Sequence, residues 1–116
     1  MSGTGRLSVR IDLEGGGRFG PGKAALLEAI AAHGTISKAA GALSMSYPRA
    51  LKLIDEMNRD FRAPLVESKH GGADRGGSDV TALGQEVLAC YREILTAAET
   101  ASTGPMQRLR TLQGSK

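Results

Sequence analysis

The chain has 116 residues, 41% of them apolar and 3% aromatic, with a net charge of +3 and a pI near 9.4. That length allows one domain with a modest core and excludes two, and so few aromatic rings leave the core to Ala, Leu, Ile, Val and Met. Between Met1 and Ser102 the 12 basic and 12 acidic residues cancel, so the excess is Arg108, Arg110 and Lys116, and patterning must carry any argument about a charged partner.

Residues 1–5 are small and polar and read as a disordered N-terminus. Leu7, Val9, Ile11 and Leu13 then alternate with Ser8, Arg10, Asp12 and Glu14, the period of a half-buried strand. Gly15-Gly16-Gly17 breaks it. No Lys-Ser or Lys-Thr pair follows these glycines and the GxGxxG spacing is absent, so they read as a flexible connector rather than a phosphate loop. Pro21 suits the first turn of a helix running to His33, with Gly34 as its C-cap and Leu26, Leu27, Ile30 and Ala31 along one side. His33 falls in the last turn, where partial positive charge is favourable, and no second ligand stands three or four residues away.

The next stretch, Thr35 to Asn58, organises the rest. A short helix from Ile36 to about Leu43, a turn over Leu43-Ser44-Met45-Ser46, and a helix from Tyr47 to about Asn58 make a helix-turn-helix. Ala40 lets the two helices cross closely. Ser46 is an N-cap and Pro48 lies in the first turn, where a missing N–H costs nothing. Lys38, Arg49 and Lys52 come early, and no acid occurs between Thr35 and Ile54. A recognition helix reads base edges with its N-terminal residues, so Ser46, Tyr47, Pro48, Arg49 and Lys52 are the candidates to face a major groove, with Ser37 and Lys38 beside them.

Pro64 to Lys69 reads as a second strand and Val80-Thr81 as the return of a third, with a glycine-rich tip between them. A hairpin after a recognition helix is a wing, and Lys69, His70 and Arg75 are the side chains it offers to a DNA backbone or minor groove, diluted by Asp74 and Asp79. A solvated hairpin without DNA contact is the plain alternative. Thr81 caps a long helix from Ala82 to Ser102 that carries two adjacent apolar stripes: Leu83, Val87, Cys90 and Ile94, then Leu88, Tyr91, Leu95 and Ala98. One stripe can cover the core and the other needs a partner, for which a symmetric homodimer is the economical solution. From Thr103 the Gly-Pro pair is expected to end the helix, leaving residues 103–116 as a basic flexible tail, either solvated or touching phosphates.

The expected fold class is therefore mainly α with a small β wing: a winged helix-turn-helix over residues 6–102 with an N-terminal strand and a long C-terminal dimerisation helix, 82–102. No catalytic constellation stands out. Ser44 and Ser46 lack a nearby His-Asp pair, the two histidines, His33 and His70, are isolated, and Asp55, Glu56 and Asp60 read as a solvated face. An enzyme is not expected, nor a metal or a cofactor. The single cysteine, Cys90, excludes an intramolecular disulfide and fits a reducing compartment. With no apolar run of membrane-spanning length and no signal-peptide core, the expected location is cytoplasmic.

The stretches GTISKAAGALSMSYPRALKLIDEMN, PLVESKHGG and GGSDVTALGQEVL resemble the N-terminal winged-helix domain of the ModE-type, molybdate-responsive transcription regulators, and are more distantly similar to LysR-type DNA-binding domains. The resemblance spans roughly residues 6–102, and its most specific pieces are ISKAA, the Ser-Tyr opening the recognition helix, PLVE, and the glycine-rich wing leading into Thr-Ala-Leu-Gly-Gln. It implies a dimer through the long helices, major-groove contact by Ser46, Tyr47, Arg49 and Lys52, and wing contact by Lys69 and the glycine-rich tip. Full-length ModE continues into a molybdate-binding region. These 116 residues contain no match to it, so molybdate is not expected to be sensed within them. The expected function is sequence-specific regulation of transcription by a homodimer on a two-fold symmetric double-stranded site. The alternative from another class is a winged helix that binds a partner protein.

Overall fold

Leu26, Leu27 and Ile30 have no exposed surface, which makes their helix, α1 (Pro21–His33), the centre of the molecule. Burying each such side chain contributes roughly 2 kcal/mol. The computed structural model describes residues 5–69 and 77–114. Around α1 pack α2 (Ile36–Ala42), α3 (Tyr47–Asp60) and α4 (Ala82–Ala101), with one hairpin of β1 (Ile11–Asp12) and β2 (Arg18–Phe19) and a second of β3 (Val66–Ser68) and β4 (Ser78–Val80). Both hairpins are antiparallel, with Ile11 opposite Phe19 and Val66 opposite Val80. A last helix, α5 (Thr103–Gln113), follows α4. The fold is the winged helix-turn-helix that the sequence predicts. No helix among the described residues is long and apolar enough to cross a membrane.

α1 starts and stops as its ends dictate: Pro21 occupies the first turn, and Gly34 at φ 80° caps the end with its N–H on the Ile30 carbonyl at 2.8 Å. The core is mostly aliphatic, but not purely so. Phe19 and Tyr91 are buried and packed edge to face at 5.4 Å, with Phe61 edge-on to Phe19 at 6.3 Å. Three of the four aromatic rings thus meet in one place, which corrects the expectation of a core without them.

Two elements differ from expectation. The alternation over residues 7–13 is real as burial, but only Ile11–Asp12 pairs as a strand, because Pro21 opens α1 and limits the partner strand to Arg18–Phe19. The three glycines form the turn of this hairpin. Leu13 N–H donates to the Gly17 carbonyl at 2.7 Å, and Gly15 and Gly16 adopt φ of 94° and 111°, which glycine takes without strain. At the other end, the expected flexible tail is helical over Thr103–Gln113. Pro105 falls in the first turn of α5, where no N–H is needed, so it permits a new helix after the break at Ser102 instead of stopping one. α5 buries none of its residues, and the radius of gyration of 16.9 Å exceeds the roughly 13 Å of a compact chain this long. The N-terminal disorder expected for 1–5 falls, for residues 1–4, outside the described residues.

Candidate nucleic-acid interface

The pair α2–α3 is assembled by small residues and by its caps. Ala39, Ala40 and Ala50 are buried where the helices cross, and Leu53, Ile54 and Met57 fasten α3 to the core. Thr35 Oγ1 accepts from Lys38 N–H at 3.1 Å, and Ser46 Oγ accepts from Arg49 N–H at 3.2 Å, so each helix start is capped by the hydroxyl before it. The turn between them has the hydrogen bonds of a Schellman closure: Met45 N–H donates to the Ala40 carbonyl at 2.9 Å and Ser44 N–H to the Gly41 carbonyl at 3.1 Å. Ser44 holds the left-handed position at φ 54°, usually a glycine's place.

This scaffold holds the outer surface of the pair still. Ser37, Lys38, Ser46, Tyr47, Pro48, Arg49 and Lys52 are all exposed. Among the described residues, Lys38, Arg49 and Lys52 make no ion pair. Their cationic heads are thus available to phosphate oxygens or to the acceptor edge of a base. Helical spacing distributes them around α3: Lys52 points away from the core, Arg49 lies on one flank, and Tyr47 with Leu51 lies on the other. The acids come later. Glu56 pairs with Lys23 of α1 at 3.1 Å, and that hydrogen bond, with further help from Lys52 and Arg59, holds its carboxyl below the ordinary value.

Asn58 ties the far end of α3 to the wing. Its Oδ1 accepts from the N–H groups of Leu65 at 2.8 Å and Val66 at 3.2 Å, and its Nδ2 donates to the Val66 carbonyl at 3.2 Å. The sequence reading assigned Asn58 no such part. On the other side, Thr35 bridges Gly77 and Ser78 N–H donates to the Gly34 carbonyl at 2.9 Å, so β4 is fixed to the start of α2. Lys69 lies across Gly77, within 3.7 Å of Asp79 Oδ1, and so stands beside the α2 N-terminus. His70 and Arg75 lie outside the described residues.

Thr81 joins the wing to α4. Its hydroxyl donates to the Pro64 carbonyl at 2.8 Å and accepts from Gly84 N–H at 3.0 Å. Gly84 sits so close that a Cβ would fall 2.5 Å from the Leu65 carbonyl oxygen and 2.7 Å from Val80 Cγ1. Of the side chains assigned to a dimer interface, Leu88 and Tyr91 are core residues of this chain, and Leu83, Val87 and Leu95 are partly buried against that core. Burial takes Leu88 and Tyr91 out of the surface that a partner could meet, which corrects their assignment. Ala98 is half-buried, Cys90 and Ile94 are exposed, and Leu83 and Val87 flank an apolar groove of about 270 Å³ floored by Phe19 and Phe61. Of the two stripes, the first is the one with no fully buried member. Among the described residues no three His, Cys, Asp or Glu side chains cluster as a metal site would require.

Residues 23–85 match the family described as bacterial regulatory helix-turn-helix proteins of the lysR family. The chain is 39% identical over 100 residues to the molybdenum-pterin-binding protein MopA of Rhodobacter capsulatus, covering 86% of this chain and 37% of that protein. It is 33% identical over 106 residues to the molybdenum transport protein ModE of Azotobacter vinelandii, covering 91% and 39% respectively. Over 71 residues it is 38% identical to the DNA-binding transcriptional dual regulator ModE of Escherichia coli K12, covering 61% and 27%. The chain thus spans less than two fifths of the length of these curated relatives.

Proposed function

The chain belongs to the lysR family of bacterial regulatory helix-turn-helix proteins, and from that premise we propose that it regulates transcription by binding double-stranded DNA in a sequence-specific manner. The observation that carries this reading is the N-terminal half of α3: a capped, rigidly seated helix start whose cations are free among the described residues and whose first seven positions hold no acid. In this reading α3 enters the major groove, with Ser46, Tyr47, Arg49 and Lys52 at the bases and phosphates. Ser37, Lys38 and Lys69 hold the flanking backbone. His70 and Arg75 extend the wing contact.

A homodimer completes the proposal. Leu83, Val87, Cys90 and Ile94 are its contact stripe, and two recognition helices about one DNA turn apart read a two-fold symmetric site. Ile94→Glu leaves the fold intact, since that side chain is exposed, and halves the hydrodynamic mass measured at micromolar concentration. A wild-type protein that sediments as a monomer would remove the two-fold site from the proposal. The names of MopA and ModE, a molybdenum-pterin-binding and a molybdenum transport protein, support a link to molybdenum, and a cytoplasmic location goes with a regulator of genes.

The test is selection of bound duplexes from a random pool at near-physiological salt, followed by sequencing. An enriched inverted repeat is expected, with affinity falling steeply as salt rises. Recovery without enrichment would reduce the protein to a backbone binder. No duplex binding even at low salt would assign α3 to a protein partner.

A further inference from the structure

Leu51 is the apolar residue of α3 that does not face the core. Ala50, Leu53, Ile54 and Met57 take the buried face, while Leu51 keeps 37% of its surface exposed and Tyr47, one turn earlier on the same flank, keeps 48%. Nothing in the fold requires an apolar side chain at either position. They form a small oily patch in the first five residues of α3, next to Lys52 on the same helix, within a stretch from Thr35 to Ile54 that also carries Lys38 and Arg49 and holds no acid. Such a patch within a cationic field suits an occupant that carries an apolar group on a polyanion.

The major groove of DNA presents one such group, the C5-methyl of thymine. We propose that Leu51, with the ring of Tyr47 beside it, reads thymine through that methyl, and is a specificity-determining residue that requires a T·A pair at a fixed place in each half-site. The inference rests on the reading of α3 as the helix in the major groove. Asn58 lies on the same stripe two turns further along and is tied to Leu65 and Val66, so this flank of α3 is the one turned toward the wing. The thymine is therefore on the wing side of the base or bases met by Arg49, which occupies the opposite flank.

The experiment uses the full chain and the duplexes recovered from the random pool. Each thymine is replaced in turn by uracil, which removes the methyl and leaves every hydrogen-bonding group of the base in place. Burying one methyl is worth about fourfold in affinity, so uracil at the read position should weaken wild-type binding by about that factor. Leu51→Ala should bind the thymine and uracil duplexes alike. Leu51→Gln, which keeps length and helix propensity, should do the same and serves if the alanine variant folds poorly. Uracil without effect at every thymine would overturn the proposal while leaving DNA binding standing. So would an undiminished uracil penalty in both Leu51 variants. Failure to recover any duplex would instead take down the DNA-binding reading, and this inference with it.

Discussion

Of the five large apolar side chains exposed among the described residues, Tyr47 and Leu51 stand on α3, whereas Ile94, Leu109 and Leu112 stand on α4 and α5. α3 and α5 expose the same kind of surface in opposite mechanical settings. α3 is anchored by four buried side chains, a serine cap at its start and the three hydrogen bonds of Asn58 near its end. α5 has no buried residue, and at its start the hydroxyls of Ser102 and Thr103 donate to the Glu99 carbonyl at 3.3 and 3.2 Å. An apolar patch on a rigid helix among cations suits discrimination between rigid partners that differ by one methyl. An apolar stripe on a helix standing off the domain cannot discriminate so finely, because the helix can shift to accommodate what it meets.

The strongest way to break this contrast is to loosen the rigid region from the long helix. Gly84→Ala drives a Cβ into the Leu65 carbonyl and the Val80 side chain, and overpacking of that kind costs about 3 kcal/mol, or a fall in Tm on the order of 15 °C. An unchanged melting curve would show that the wing and α4 slide apart freely. Next comes Arg49→Ala, which should cost about 2 kcal/mol of binding and relax sequence preference where Arg49 meets a base. Fluorescence anisotropy with selected and scrambled duplexes checks it, and equal losses on both would make Arg49 a phosphate contact.

Tyr91 sharpens the comparison from the core side. Its hydroxyl donates to the Val9 carbonyl at 2.6 Å, so Tyr91→Phe should cost about 1 kcal/mol and free the N-terminal segment, seen as faster amide exchange over residues 7–13. Burial pushes the Tyr91 phenol above its ordinary value of 10, so the folded state favours the neutral form. The stability it contributes is whole below pH 10 and is lost as pH rises through the folded value. The phenylalanine variant should lack that part of the alkaline decline in Tm. The smallest effect is expected at Ser44, which holds φ 54° without being glycine. Ser44→Gly relieves the left-handed strain but loosens the unfolded chain, leaving a gain of about 0.5 kcal/mol. A loss would mean that the Ser44 side chain supports the turn.

What could be read from residues alone was whatever local chemistry decides. Pro21 and Gly34 bound α1, Ser46 and Pro48 start α3, Thr81 starts α4, and the run without acids marks the cationic end of the helix-turn-helix. Leu51 left a trace as well, as the apolar residue off the buried stripe of α3, although the reading of the groove-facing residues passed over it. Three matters needed the tertiary structure. The strand over residues 7–13 is short because its partner is cut off by α1, and pairing length is a property of both strands. Leu88 and Tyr91 turn inward because α4 lies with that face on α1 and Phe19, and two adjacent stripes on one helix do not declare which of them meets the core. Asn58 becomes the clamp of the wing only because the chain folds β3 back across the end of α3, a contact between residues seven and eight apart whose geometry no local propensity encodes.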